Sequence, residues 1–314
     1  MISCTEFIPL YSEFFKFLEA KGGREAVLEY WYHVSDKGLG DKTNPNSLIS
    51  FVERDGGLEG AVHYFDHTLA EEACDVLRIT DLKNGYYYEC MRHCPSRGML
   101  NALEHVEPYH NYCEHCDVIY ARVLNQYGLE FEMDLANIDK AACTSLIYAK
   151  GNRPENFDAI DDSKIVVDLK PEDNKYLHRD FHLSGDLALQ YCGDTFGEEG
   201  VLEFLQNYTK HFYSPQIKDI KDRGLIAIKE WIEHNYEVEE ASELLHTELT
   251  ENKLMVTVDY SPVIAYMRSL NQEPSIYYIE ETRTLYKTIA EECGLDFVLD
   301  YYEENGACRF MFSK

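Results

Sequence analysis

The chain is one unit written twice, and this limits its fold more than any other feature of the sequence. Gly23-Arg24-Glu25-Ala26-Val27-Leu28-Glu29-Tyr30 returns as Gly197-Glu198-Glu199-Gly200-Val201-Leu202-Glu203-Phe204. Gly57-Leu58 through Tyr64, Phe65 and His67 returns as Gly224-Leu225 through Trp231, Ile232 and His234. Cys94-Pro95 returns as Ser261-Pro262. Tyr127-Gly128-Leu129-Glu130-Phe131 returns as Cys293-Gly294-Leu295-Asp296-Phe297, and Ala142-Cys143 as Ala307-Cys308. The offset drifts only from 174 to 165, always in one direction. Chance similarity would not keep that order. The period is far longer than the roughly 20–50 residues of a solenoid repeat, so the reading is a domain duplication.

Two domains follow, 1–150 and 181–314, each long enough to bury a core of its own. The polar, proline-broken stretch 151–180 reads as the linker, with a short extra strand over 166–169. In the first copy, apolar spacing of three and four predicts helices over 5–20, 24–35, 47–54 and 58–72, with Gly22-Gly23 breaking the first from the second. The period then changes. Strands are predicted over 74–80 and 86–92, helices over 96–106 and 109–127, and strands over 129–135 and 143–148. The second copy repeats the order from 182 to 312. The expected fold is α+β: two tandem homologous domains packed as a pseudo-dimer, each a helical front half followed by a β-β-α-α-β-β unit.

Composition removes several functions. Fifty-seven acidic against 29 basic residues give a formal charge of −28, which repels phosphate backbones and anionic membranes. No apolar run is long enough to span a bilayer, and the N-terminus has no basic, signal-like region. A cytoplasmic, reducing setting is therefore expected, in which ten cysteines stay thiols, thiolates or metal ligands. Phosphate-binding glycine loops and the Gly-x-Ser-x-Gly elbow are absent.

Seven of the ten cysteines precede residue 151, so thiol chemistry belongs mainly to the first copy. The sharpest cluster is His93-Cys94-Pro95 with Cys113, Cys116, Asp117 and Cys143. On the 109–127 helix, Cys113, Cys116, Asp117, Tyr120 and Leu124 share one face, and apolar Leu124 turns that face inward. His115 falls on the other side and is expected outside any pocket. Cys94 is placed where a strand ends and a helix begins, with Pro95 at the first helical position; a thiolate there gains from the helix dipole. Three readings are open: buried thiols serving as small hydrophobes, a nucleophilic Cys94 with Asp117 or His93 moving protons, and a zinc or iron site built from these side chains. The last has only half a zinc motif, because no second Cys-x-x-Cys follows Cys113-x-x-Cys116.

The Cys-Pro after a strand, the tyrosine- and cysteine-bearing helix with its acidic residue, and the closing Gly-Leu and Ala-Cys strands resemble the L-2-amino-thiazoline-4-carboxylate hydrolase-like domains. The resemblance covers about residues 73–150 and, eroded, 241–314. It implies hydrolysis of a cyclic C–N bond in a sulfur-containing amidine at a thiol-centred site. By position it implicates Cys94, Cys113 or Cys116, Asp117 and Cys143. The second copy departs from it, with Ser261, Ile279 and Thr282 in place of Cys94, Cys113 and Cys116.

Two further constellations stand apart from the thiols. His63 and His67, four apart on one helix, have the spacing of a metal pair, against the plainer reading of a solvated face. His178-Arg179-Asp180-Phe181-His182 opens the second copy. Asp180 suits a helix cap, while Arg179 and His182 are candidates for holding a substrate carboxylate. The expected partner is a small-molecule substrate, with a homodimer as an option; the alternative to an enzyme is a small-molecule or metal-binding protein without turnover.

Overall fold

The computed structural model describes residues 1–154, 167–173 and 175–314; the central part of the expected linker lies outside the described residues. These residues fall into two compact units. One, termed here the thiol unit, comprises Leu18–Glu104 and Pro108–His178. The other, the tyrosine unit, comprises Met1–Phe17, His105–Glu107 and Arg179–Lys314. The fold is mixed α+β with antiparallel sheets, as the change of apolar period predicts.

The helical segment α1 (Phe7–Val34) runs from the tyrosine unit into the thiol unit. It is two helices joined across a kink, and Gly22-Gly23 breaks the first from the second as expected. Both glycines leave helical geometry, Gly22 at φ −144°, ψ 15° and Gly23 at φ 69°, ψ −169°, the latter open to glycine at little steric cost. In the thiol unit there follow α2 (Leu48–Phe51) and α3 (Gly57–Glu71). Strands β1 (Asp75–Asp81) and β2 (Tyr86–His93) come next, then helices α4 (Pro95–Ala102) and α5 (Glu114–Leu124). Strands β3 (Leu129–Asp134), β4 (Cys143–Ala149) and β5 (Val167–Leu169) complete the unit. Helix α5 starts five residues later than predicted, because 109 is irregular and 110–113 form turns. The sheet order is β3-β4-β2-β1-β5, all pairs antiparallel. Its covered face carries Val76, Tyr87, Met91, Phe131 and Ile147, packed under Ala61, Phe65 and Leu69 of α3 and Val123 and Leu124 of α5. This is the period-two alternation that the strands were read from.

In the tyrosine unit, α6 (Asp180–Phe212), α7 (Ser214–Arg223) and α8 (Leu225–Val238) precede β6 (Leu245–Leu249) and β7 (Lys253–Val258). Helices α9 (Pro262–Ser269) and α10 (Glu280–Cys293) follow, then β8 (Asp296–Tyr302) and β9 (Cys308–Ser313), in the order β6-β7-β9-β8. Helix α6 bends at Gly197 (φ 74°, ψ 179°), the partner of Gly23 in the sequence repeat. Helices α1 and α6 meet in this unit: in their first turns Phe7 stacks on Phe181 at 4.8 Å, and farther along Phe14 meets Phe204, beyond the Gly197 bend, edge-on at 4.9 Å. No helix among the described residues is long and apolar enough to cross a membrane.

Candidate functional site

The thiols converge at one end of the covered face of the thiol-unit sheet. Cys94 leaves β2 in extended conformation and caps α4, its Sγ accepting the Arg97 N–H at 3.4 Å. The Cys94 N–H donates to the Ala141 carbonyl at 2.7 Å, which ties the start of α4 to the loop before β4. Cys143 opens β4 opposite Met91, with Ser145 and Ile147 alternating on its side as strand parity requires. Cys113 immediately precedes α5, its side chain making no capping bond, and Cys116 lies in the first turn. The four thiols feel one another: Cys116 is acted on by Cys113, Cys94 and Cys143, and Cys143 by Cys94 and Cys113.

Helix-terminus chemistry does not win at Cys94. Burial raises the thiol pKa to about 12, and the capping N–H offsets only part of this. Burial also pushes Cys113, Cys116 and Cys143 up. All ten cysteines are free. The resting cluster is four neutral thiols.

The charge around them differs from the charge that the sequence suggested. Asp117 is half-buried and pushed up by burial, and the neighbour acting on it is Glu114. The carboxyls that act on the thiols are Glu72, toward Cys94 and Cys116, and Glu89, toward Cys143. Glu89 is only 7% exposed. On β2 it shares the covered face with Tyr87 and Met91 and is flanked by Arg78 on β1 and Ser145 on β4. Tyr87 Oη donates to it at 3.3 Å. Burial, and next the charge of Glu72, raise its pKa to about 7. Glu72 is itself pushed up by burial, against the pull of nearby His178. His178 meets Glu71 at 2.9 Å.

Arg97 adds a cation. It acts on Cys113, its Nε donates to the Ile138 carbonyl at 3.3 Å, and its buried Nη1 has no partner among the described residues. The buried Oγ of Ser145 likewise has none. Buried polar atoms without partners are uncommon and call for a ligand or water.

The other predicted residues divide. His93 is exposed, its ring lying over Gly98 of α4. Tyr120 stays beside the thiols, acted on by Cys116, Glu72 and Glu89, and joins an aromatic cluster with Phe65 (5.1 Å), Phe131 (5.6 Å) and Tyr64 (6.2 Å). His115 corrects the helical-wheel reading. It is buried, bonded to the Tyr112 carbonyl, packed on Trp31 and 3.4 Å from Cys116 Sγ. Helix α5 is covered on two sides, so a wheel that assumes one buried face misassigns it. Burial lowers the His115 pKa to about 4, which leaves it neutral at physiological pH.

His63 pairs with Asp55 at 2.8 Å, while His67 stacks on Phe51 at 5.8 Å. Among the described residues no group of three or more His, Cys, Asp and Glu side chains is placed to hold a metal ion. Zinc or iron therefore has no ligand set there. Arg179 and His182 lie in the tyrosine unit against Glu239 and Glu240; His182 Nε2 is 3.0 Å from the Glu239 carboxylate, which also accepts the Cys4 N–H at 2.6 Å.

Glu89, Glu72 and Arg97 are the site residues that the sequence reading missed, whereas strand parity places Ser145 on the side of Cys143. One signal was available for Glu89: it has the parity of Tyr87 and Met91, both buried. No spacing rule marks the other two. No protein-family model matches the chain, and no curated protein or solved structure matches it.

Proposed function

We propose that the thiol unit is a thiol-dependent hydrolase, or a related C–N or C–S bond enzyme, for a small heterocyclic or amino-acid-derived substrate. The observation that carries this reading is the unpaired, buried Nη1 of Arg97 beside the thiols. A guanidinium with a donor to spare is suited to a substrate carboxylate. The substrate carbon would then lie near Cys94. Its neutral thiol needs a base, and a carboxyl with a pKa near the working pH is the best general acid–base available. Glu89 has that property, so the proton-moving role falls to Glu89, with Glu72 behind it, rather than to Asp117 or His93.

In the reaction for a cyclic amidine, Cys94 Sγ bonds to the amidine carbon and its proton passes to the carboxylate. The ring C–N bond breaks, and the nitrogen leaves with that proton. Water then cleaves the carbon–sulfur bond and restores the thiol. The second reading, binding without turnover, is favoured by the thiols being held neutral.

The test is turnover of 2-amino-thiazoline-4-carboxylate by the full chain, with metal content measured on the same anaerobic sample. Turnover that is lost in Cys94→Ser supports the hydrolase. Saturable binding without turnover, unchanged in Cys94→Ser, overturns it in favour of the binding reading.

We also infer that the chain arose by tandem duplication. Support comes from the common strand order, the matched bends at Gly23 and Gly197, and matched left-handed helix ends at Gly128 and Gly294. The cap that Cys94 makes to Arg97 is also repeated by Ser261 to Ile264 at 3.2 Å. The free thiols fit a reducing, cytoplasmic setting.

A further inference from the structure

Cys113 and Cys116 frame the start of α5. Cys113 precedes the helix in helical backbone conformation (φ −70°, ψ −17°), and Cys116 stands three residues on, in the first turn. One helical turn sets their Cα atoms about 5 Å apart, inside the roughly 4.4–6.8 Å that a disulfide spans. Their Cβ atoms, about 5–6 Å apart on a regular helix, must close by about 1–2 Å. The first turn can yield that much, because its leading N–H groups have no partner within the helix. Both residues are half-buried rather than sealed in the core. The other two thiols are held in place. Cys94 is tied by its N–H to the Ala141 carbonyl and by its Sγ to the Arg97 N–H, and Cys143 is fixed in the ladder opposite Met91.

His115 lies between the pair in sequence and supplies a base. Its Nδ1 faces the Tyr112 carbonyl, which can only accept, so Nδ1 carries the ring proton. Nε2 therefore presents its lone pair, and it lies 3.4 Å from Cys116 Sγ. A thiol, a base and a third group that orients the base form the arrangement that activates a cysteine. The thiolate is the attacking species in disulfide exchange. Burial pushes the Cys113 thiol up, and nearby Arg97 pulls it part of the way back.

We propose that Cys113 and Cys116 are a redox pair that closes reversibly into a disulfide by exchange with a small-molecule disulfide. Cys113, as its thiolate, attacks one sulfur of the oxidant. A mixed disulfide forms, and the first thiolate leaves and takes up the proton that Cys113 gave up. Cys116 then passes its proton to His115 Nε2 and attacks the Cys113 sulfur. The second thiolate leaves and takes that proton. Two thiols of the chain are oxidised, and the small disulfide is reduced to two thiols. The pair makes no use of Cys94 and stands apart from the hydrolase reading. Ile279 and Thr282 hold these positions in the tyrosine unit, so the pair is specific to the thiol unit.

The test incubates the reduced full chain anaerobically with oxidised glutathione, blocks remaining thiols under denaturing conditions and maps the peptides by mass spectrometry. A Cys113–Cys116 bridge is expected, with the ten free thiols falling by two and returning fully with dithiothreitol. Cys116→Ser should stop at a glutathione adduct on Cys113, and Cys113→Ser should lose the bridge. His115→Gln should slow the step from adduct to bridge at least about 10-fold, as loss of a general base does, and change adduct formation less than about twofold. Should His115→Gln fail to fold, the two cysteine variants decide. Adducts that never bridge, a bridge to Cys94 or Cys143, or an unchanged bridging rate in folded His115→Gln would overturn the proposal.

Discussion

The same corner of the fold is furnished in two ways. In the thiol unit a cysteine caps the helix after the second strand; in the tyrosine unit a serine makes the same bond. Where one has Glu89 on the covered face, the other has Val256 at the matching register. Where one has Arg97, the other has Ile264, and where one buries neutral His115, the other buries Glu281. The glutamate after the third helical segment is kept, as Glu72 and as Glu239, but one is pushed up by burial and the other held down by His182. The two units share this backbone geometry and differ in the charges around it. The frame sets where chemistry can occur, and a handful of side chains sets which chemistry it is.

The comparison breaks most readily at the caps. Cys94→Ser should reduce kcat/KM for the amidine by at least about 10³-fold, as expected for loss of a nucleophile, while Ser261→Ala changes it less than about twofold. Equal losses would mean that the site is shared or lies elsewhere.

The buried carboxyl gives a pH-dependent contrast. Burial raises the Glu89 pKa from the usual 4.5 to about 7, so the native state favours its protonated form. Its contribution to stability is full below about pH 4.5 and is lost as pH rises through 7. Glu89→Gln should therefore be nearly neutral at pH 4.5 and stabilising by up to about 3 kcal/mol at pH 8, measured by denaturant unfolding. Val256, which cannot titrate, should give Val256→Ala a cost independent of pH. A Glu89→Gln effect that is flat from pH 4.5 to 8 would remove the poised base from the mechanism.

Arg97→Ala should raise KM for a carboxylate substrate by about 10–100-fold, the worth of one charge-assisted hydrogen bond, with kcat less affected. Ile264→Ala should leave KM alone. If both variants raise KM alike, the anchor is misassigned.

The smallest contrast is at a glycine. A Cβ on Gly60 would lie 2.4 Å from the Phe51 carbonyl oxygen and 2.6 Å from Val52 Cα, both backbone. The matching residue in the tyrosine unit is already Ala227, which is buried. Gly60→Ala should cost about 1–3 kcal/mol as overpacking, and Ala227→Gly about 1 kcal/mol as lost helix propensity. Thermal unfolding of the two variants would rank them.

Much of this frame could be read from residues. Period changes placed all eight strands of the repeat, and the Cys94-Pro95 and Ser261-Pro262 pairs located both caps. The α+β class follows from the same alternation. What escaped depends on three dimensions. His115 was misread because α5 is buried on two sides, which no single wheel represents. Glu89 looks like any strand charge until Arg78 and Ser145 arrive beside it from other strands. Arg97 gains meaning only when Cys113, sixteen residues on, folds back to it.

The first seventeen residues belong to the unit whose remaining elements begin at Arg179. Phe14 packs on Phe204, and the Tyr208 hydroxyl donates to the Glu6 carbonyl. A ribosome adding about 5–20 residues per second exposes that opening segment well before its packing partners exist. Its apolar side, Phe7, Tyr11, Phe14 and Phe15, must wait through the synthesis of the thiol unit. The order of manufacture thus favours completing the thiol unit first and leaves a helical aromatic surface uncovered until the last elements emerge.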